Sequence, residues 1–171
     1  NANKDPLTIL RAFEKYLVKN PSARLYMIYQ EDDLINEINE IIDKNEILKN
    51  VVLLLGEVAH KELSYWYSAV DFYISGSHKE GSGYALLEAM KCGCIPVVTD
   101  IPSFRKITAD SQYGFLFAPE NLESLFLILQ SLMHINREEL SNSIICHFSK
   151  ELSFQSISDR LFSLCEKLMQ K

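Results

Sequence analysis

Two carboxylates, Glu80 and Glu88, bracket a glycine-bearing turn, Gly81-Ser82-Gly83-Tyr84. Ionised carboxylate oxygens accept hydrogen bonds from hydroxyl donors, so two of them on one crevice suit the recognition of sugar or ribose. The turn opens a helix expected over Tyr84 to Lys91, and the first turn of any helix leaves backbone N–H groups unpaired beside a partial positive charge. Gly81 and Gly83 let a phosphate or a sugar hydroxyl approach that backbone closely. A Gly-x-Gly alone is weak, because loops collect glycine. Glu88 says more: the helix is otherwise Tyr84, Ala85, Leu86, Leu87, Ala89 and Met90, apolar nearly all round, which reads as a buried helix. Its carboxylate must then face a cleft or find a partner, with Lys91 three residues on as the alternative. With the helix starting near Ser82, helical rise brings Glu80 and Glu88 to one crevice about 10 Å across.

The elements that must position this loop alternate regularly. Pro6 suits a first helical turn, and Leu7, Leu10, Phe13, Leu17 and Val18 recur at helical spacing as far as Asn20-Pro21. Leu25 to Tyr29 reads as a buried strand, Leu34, Ile38, Ile41 and Ile42 as an amphipathic helix, and Val51 to Leu55 as a second strand. A short helix over Glu62 to Val70 leads to a third strand, Phe72 to Ser75. Beyond the loop, Gly93 suits the left-handed position after a helix, and Ile95 to Thr99 is a fourth strand. Phe115 to Phe117 is a short last strand before helices over Leu122 to Ile135, Arg137 to Phe148 and Phe154 to Gln170. Asn121, the Asn136 and Glu139 pair, and Ser153 mark their starts.

This rhythm calls for parallel strands joined by right-handed crossovers with helices on both faces: a Rossmann-like, three-layer α/β domain with a mostly parallel sheet, one domain over residues 1–171. Ligands of such sheets sit at the carboxyl ends of the strands. Gly56 follows the second strand, Gly76 the third, and Gly81 and Gly83 lie in the same third loop, so four of the six glycines fall where a ligand would approach.

Composition narrows the ligand. With 47% hydrophobic and 23% charged residues the chain is of the ordinary globular class. A net charge of −6 without a basic stripe argues against nucleic acid, yet a helix N-terminus and one lysine still bind a small phosphorylated ligand. Cys92, Cys94, Cys146 and Cys165 show no metal spacing and read as reduced thiols, which fits a cytoplasmic setting. No run is long enough to span a membrane. No aspartate pair stands at metal spacing, so no divalent ion is expected.

The stretch from Glu80 through Met90 to Cys94-Ile95-Pro96-Val97-Val98 resembles the signature of family 4 (group 1) glycosyltransferases, enzymes of the two-domain GT-B fold, with its two glutamates separated by seven residues. The resemblance extends to Asn3-Lys4-Asp5-Pro6 with Leu10, Ala12 and Phe13, to Leu54 through Gly56 to Val58 beside the nucleotide base, and to Tyr113-Gly114-Phe115-Leu116-Phe117. It implies half of a GT-B fold that binds a nucleoside-diphosphate sugar as substrate, needs no cofactor, and transfers the sugar with retention to an acceptor held by an N-terminal domain. It further implies Glu80 at the donor sugar as the catalytic residue, Glu88 at the ribose, the backbone of Gly81 to Gly83 at the diphosphate, and Lys4 at the phosphates. The family's first strand ends in Gly-Arg and is expected ahead of Asn1, so this chain by itself is expected to be inactive. Ser82 stands where an aromatic is usual, and Tyr29-Gln30 replaces a common glycine.

The remaining candidates have plainer roles to set beside a functional one. His78 could bond a sugar or phosphate, although a lone loop histidine more often meets water. Lys4 could be a surface lysine. Thr99 and Asp100 suit the capping of a following helix, and Trp66, Tyr67 and Phe72 suit the core. The rival function is a non-catalytic nucleotide-binding or interaction module on the same sheet. A full-length enzyme is expected to be cytoplasmic, with room for a peripheral membrane association.

Overall fold

The computed structural model describes residues 1–169. A 3-10 turn, Ala2–Lys4, leads into helix α1, Pro6–Leu17, which begins as the sequence predicts: Pro6 occupies the first turn and the Asp5 carboxylate accepts a hydrogen bond from Thr8 N–H. Its apolar positions divide between two cores. Leu10, Phe13 and Leu17 pack on Ile38 and Ile42 of α2 (Ile35–Asp43) and Leu48 and Val51 of α3 (Glu46–Val51), whereas Ile9 and Ala12 face the far side of the molecule.

Strands β1 (Leu25–Ile28) and β2 (Val52–Gly56) pair in parallel, Leu25 opposite Val52. Helix α3 was not expected. Asn45 caps it by accepting from Ile47 and Leu48 N–H, and it runs straight into β2. Helix α4 spans His60–Ala69, starting earlier than its apolar residues suggest. Strands β3 (Phe72–Ser75), β4 (Ile95–Thr99) and β5 (Phe115–Phe117) form a second parallel sheet with β4 central and buried throughout. Pro96 is tolerated there because it precedes the first β4–β5 rung, Val97 opposite Phe115. The expected single sheet is thus two, β1-β2 and β3-β4-β5.

Helices cover the second sheet on both faces, as parallel strands require. On one, Leu125 and Leu129 of α7 (Leu122–Ser131) join Ile9 and Ala12 against Val97 and Phe117. On the other, Leu86 and Met90 of α5 (Tyr84–Lys91), Phe104 and Ile107 of α6 (Pro102–Ile107), and Ile144 of α8 (Arg137–His147) pack on Ile95 and Val98. Asn121 and Asn136 cap α7 and α8, accepting from Ser124 and Glu139 N–H, and the Glu139 carboxylate answers through the Asn136 side chain. The helix expected to reach Ile135 ends at Ser131 and tightens to 3-10 geometry over Leu132–His134, while α8 widens to a π-turn over Phe148–Leu152. Ser153 accepts from Ser156 N–H at the start of α9, Phe154–Met169; the expected end at Gln170 lies outside the described residues.

Thr99 and Asp100 do not cap α6. The cap position is Ile101, with no side-chain bond. Thr99 is fully buried and donates to Ser77 C=O, tying the end of β4 to the loop after β3, and Asp100 pairs with Arg105.

Candidate functional site

The carboxyl end of β3 is where the chain's N-terminal turn meets the glycine loop. Gly76 permits it: a Cβ there would stand 2.9 Å from Lys4 C=O and 3.3 Å from Asp5 Cβ, so a side chain would push the turn away. Asn3 then stitches the loop. Its side chain donates to Lys79 C=O and accepts from Lys79 N–H, both at 3.1 Å, and its C=O accepts from His78 N–H at 2.9 Å. The result fixes Lys4 beside Glu80, Nζ to Oε2 at 2.6 Å, with Glu80 the more covered partner.

Past Glu80 the loop turns into α5. Gly83 holds the cap position with φ +61°, a left-handed conformation natural to glycine, and no side chain caps the helix. A Cβ on Gly83 would also lie 2.8 Å from Ile107 Cδ1, whereas one on Gly81 would meet nothing within 4 Å. The N-terminus of α5 therefore presents unpaired N–H groups behind an open approach at Gly81, the arrangement that attracts an anion. Ser82 is exposed.

Helix α5 is less enclosed than its composition suggests. Leu86, Ala89 and Met90 are buried, but Tyr84 is 64% exposed and Ala85 is exposed as well, so the first turn faces solvent. Glu88 does not pair with Lys91. Its Oε1 lies 2.8 Å from His60 Nε2, at the start of α4. His60 escaped the sequence reading because its partner is 28 residues away and only the packing of α4 on α5 joins them. Glu80 and Glu88 both reach the neighbourhood of Tyr73 in β3, whose phenol burial pushes up to about 12, the two negative charges adding to the effect. Burial likewise raises the Tyr67 phenol, with Tyr73 and Glu88 contributing.

His78 sits between two carboxylates, its Nε2 3.6 Å from Asp5 Oδ2 and its Nδ1 3.8 Å from Glu120 Oε1. Asp5 Oδ2 and His78 Nε2 are both buried without a hydrogen-bond partner. Gly56, with φ +67° and open space before it, accepts from Tyr29 N–H, joining the ends of β1 and β2, and Val58 lies just beyond on the wall of the large cleft between β1 and β3. The structure thus brings Lys4, His78 and Glu80 together at the loop and Glu88 to His60, and leaves Gly56 and Val58 at the β2 end. Asn3 and His60 are the residues the sequence reading missed; the Asn3-Lys4-Asp5-Pro6 turn was visible, its cross-chain bonding was not. Among the described residues no three His, Cys, Asp or Glu side chains gather as metal ligands, and no helix is long and apolar enough to cross a membrane.

The fold is shared with solved glycosyltransferases. The chain superposes on Anabaena HepE in complex with UDP and glucose with a TM-score of 0.82 at 18% identity, covering 98% of this chain and 46% of that one. The pneumococcal O-GlcNAc transferase GtfA in complex with UDP and GlcNAc gives 0.78 at 19% identity, covering 100% and 34%. By sequence the chain is 26% identical over 133 residues to the GDP-mannose:cellobiosyl-diphosphopolyprenol alpha-mannosyltransferase of Xanthomonas oryzae pv. oryzae, 77% of this chain and 35% of that protein. To the alpha-monoglucosyldiacylglycerol synthase of Streptococcus pneumoniae it is 25% identical over 155 residues, 87% and 35%. It spans about a third of the length of these curated relatives. The architecture is the Rossmann-like half of a GT-B fold. Residues 1–145 match the family of glycosyl transferases group 1, to which this chain belongs.

Proposed function

We propose that residues 1–171 form the donor-binding domain of a two-domain, retaining family 4 glycosyltransferase, inactive without its acceptor domain. The observation that carries this reading is the Lys4–Glu80 pair, held by Asn3 at the open approach to Gly81 and the uncapped N-terminus of α5.

A nucleoside-diphosphate sugar offers each of these groups a partner. Its diphosphate is drawn to the N–H groups of Gly83, Tyr84 and the following turn, with Ser82 alongside. Lys4 exchanges the Glu80 carboxylate for a phosphate, which frees Glu80 to accept hydrogen bonds from the sugar hydroxyls as the catalytic carboxylate. Glu88 exchanges His60 for the ribose hydroxyls, and Gly56 and Val58 border the base. His78, on the same loop, is a further donor to phosphate or sugar. When the bond between the anomeric carbon and the phosphate oxygen breaks, the electron pair leaves with the diphosphate. Lys4 and the α5 N-terminus are already aimed at that charge, so no divalent ion and no cofactor is required. Of the two curated relatives named above, one carries alpha-mannosyl transfer and a diphosphopolyprenol in its name and the other an alpha-glucosylated diacylglycerol; the alpha linkages favour retention, and the lipids favour an enzyme working at a membrane surface.

A thermal-shift panel of UDP, GDP and ADP with their sugars tests the reading. A nucleotide at 100 times its Kd adds about 2.7 kcal/mol, which raises Tm by roughly 5–10 °C for a domain of this size. If no nucleotide moves Tm at millimolar concentration, the donor assignment fails.

A further inference from the structure

The Glu88 carboxylate already has a partner, and that partner is a histidine. Its Oε1 lies 2.8 Å from His60 Nε2. A carboxylate offers no hydrogen, so the shared proton belongs to Nε2 and His60 donates in both of its charge states. With Nδ1 protonated as well, the contact becomes an ion pair and tightens.

The two residues come from different walls of the site. His60 opens α4, just beyond the stretch of Gly56 and Val58 that follows β2. It shares its face of α4 with Leu63 and Tyr67, as Glu88 shares its face of α5 with Ala85. Leu63, Tyr67 and Ala85 line the cleft beside Val58. On the donor-site reading, upon which this inference rests, the base borders Gly56 and Val58 and the ribose lies at Glu88. The His60–Glu88 contact then spans the crevice that the nucleoside must enter.

Few other charges act on the pair. Tyr67 on α4 and Tyr73 on β3 both feel the Glu88 charge, and burial keeps both phenols neutral, Tyr73 being pushed up to about 12. Glu57, Lys61 and Glu62 adjoin His60 along the chain, and Lys91 follows Glu88 by one helical turn. All four are exposed and screened by water, and among the described residues none of them forms an ion pair.

We infer that His60 is a proton-controlled competitor of the donor's ribose. Imidazolium holds the Glu88 carboxylate more tightly than neutral imidazole does, and the donor must displace it. Donor binding therefore releases a proton, and donor affinity rises with pH through the range in which histidine titrates. His60 is 83% exposed, so the contact is worth no more than a surface ion pair, and the effect on affinity is about two- to fivefold.

Calorimetric titration with UDP-glucose, GDP-mannose and ADP-glucose at about pH 5.5 and about pH 8 tests the competition; a sugar nucleotide has no terminal phosphate that titrates between these values. The ratio of Kd at the lower pH to Kd at the higher should be about two- to fivefold larger in the unaltered chain than in His60→Gln, whose amide keeps the hydrogen bond without the charge. The Gln chain retains every other titrating group, His78 included, so the difference belongs to His60. His60→Ala should bind more tightly than the unaltered chain at the lower pH by the same factor. Equal ratios in the unaltered and Gln chains overturn the competition, and so does weaker binding by His60→Ala at both pH values, since His60 would then be a ligand of the donor. A second readout needs no nucleotide: Glu88→Gln should shift the His60 ring resonances in an NMR titration, and unmoved resonances mean that the contact is not made, which overturns the competition and leaves the donor site standing. Binding of none of the three sugar nucleotides by any chain removes the donor reading itself, and the competition with it.

Discussion

Gly81→Ala adds one methyl group where a Cβ meets no atom within 4 Å and where φ lies outside the left-handed region. The folded state has room for it, and alanine restricts the unfolded chain more than glycine does. Stability should therefore hold or rise by about 0.4–1 kcal/mol, a gain of roughly 1–4 °C in Tm. The same methyl group stands in the approach to the α5 N-terminus, so it should weaken UDP or GDP binding at least about tenfold, which is about 1.4 kcal/mol. Gly83→Ala is the contrast. With φ +61° and a Cβ 2.8 Å from Ile107 Cδ1, it pays about 1–2 kcal/mol for the left-handed conformation and must also displace Ile107. Urea unfolding followed by circular dichroism gives the stabilities, and calorimetric titration the affinities. A loss of more than about 1 kcal/mol in Gly81→Ala, or nucleotide affinity equal to that of the unaltered chain, would refute the reasoning that the space before Gly81 belongs to a ligand.

Three further outcomes follow from other parts of the molecule. Lys4→Ala breaks a pair with an exposed lysine, so its urea midpoint should move by less than about 1 kcal/mol equivalent while diphosphate binding falls about tenfold or more; a large stability loss would mean that the pair is structural. Leu10→Ala empties a fully buried position of α1 and should cost about 2–5 kcal/mol in urea unfolding, a smaller cost indicating that the first core is loosely packed. Burial raises the Cys94 thiol from 9.0 to about 12 and the Tyr73 phenol from 10.0 to about 12. The folded state then holds protons that the unfolded chain releases. Stability from these groups is intact below pH 9 and declines as pH rises from 9 towards 12, by roughly 1.4 kcal/mol per pH unit for each group between its two pKa values. Urea midpoints at about pH 8 and pH 10.5 measure this, and equal midpoints would contradict it.

Local signals were legible in the sequence because their physics is local. Pro6 at a first turn, the caps at Asn121, Asn136 and Ser153, and Gly93 with φ +81° after α5 each act within a few residues. So do the apolar runs that became β3 and β4. The glycine loop was equally plain, since an uncapped helix start is written in consecutive residues. Helix α3 was missed because six residues hold too little of the helical period, and its Asn45 cap lies inside a polar stretch.

Tertiary structure decided which groups meet. Lys4 and Glu80 are 76 residues apart and Glu88 and His60 are 28 apart; no spacing rule joins them, and helical spacing offered Glu88 only Lys91 as an alternative partner. Packing of the N-terminal turn on Gly76 and of α4 on α5 chose the partners. The same holds for the sheet. Each strand carries its own hydrophobic pattern, but pairing is a property of two edges, and only the folded chain shows β1 paired with β2 and β3 with β4, in two sheets rather than one. Sequence determined the elements and the chemistry of the loop, because propensity, capping and periodicity act along the chain; the charge pairs and the division of the strands into two sheets arise only when distant segments pack.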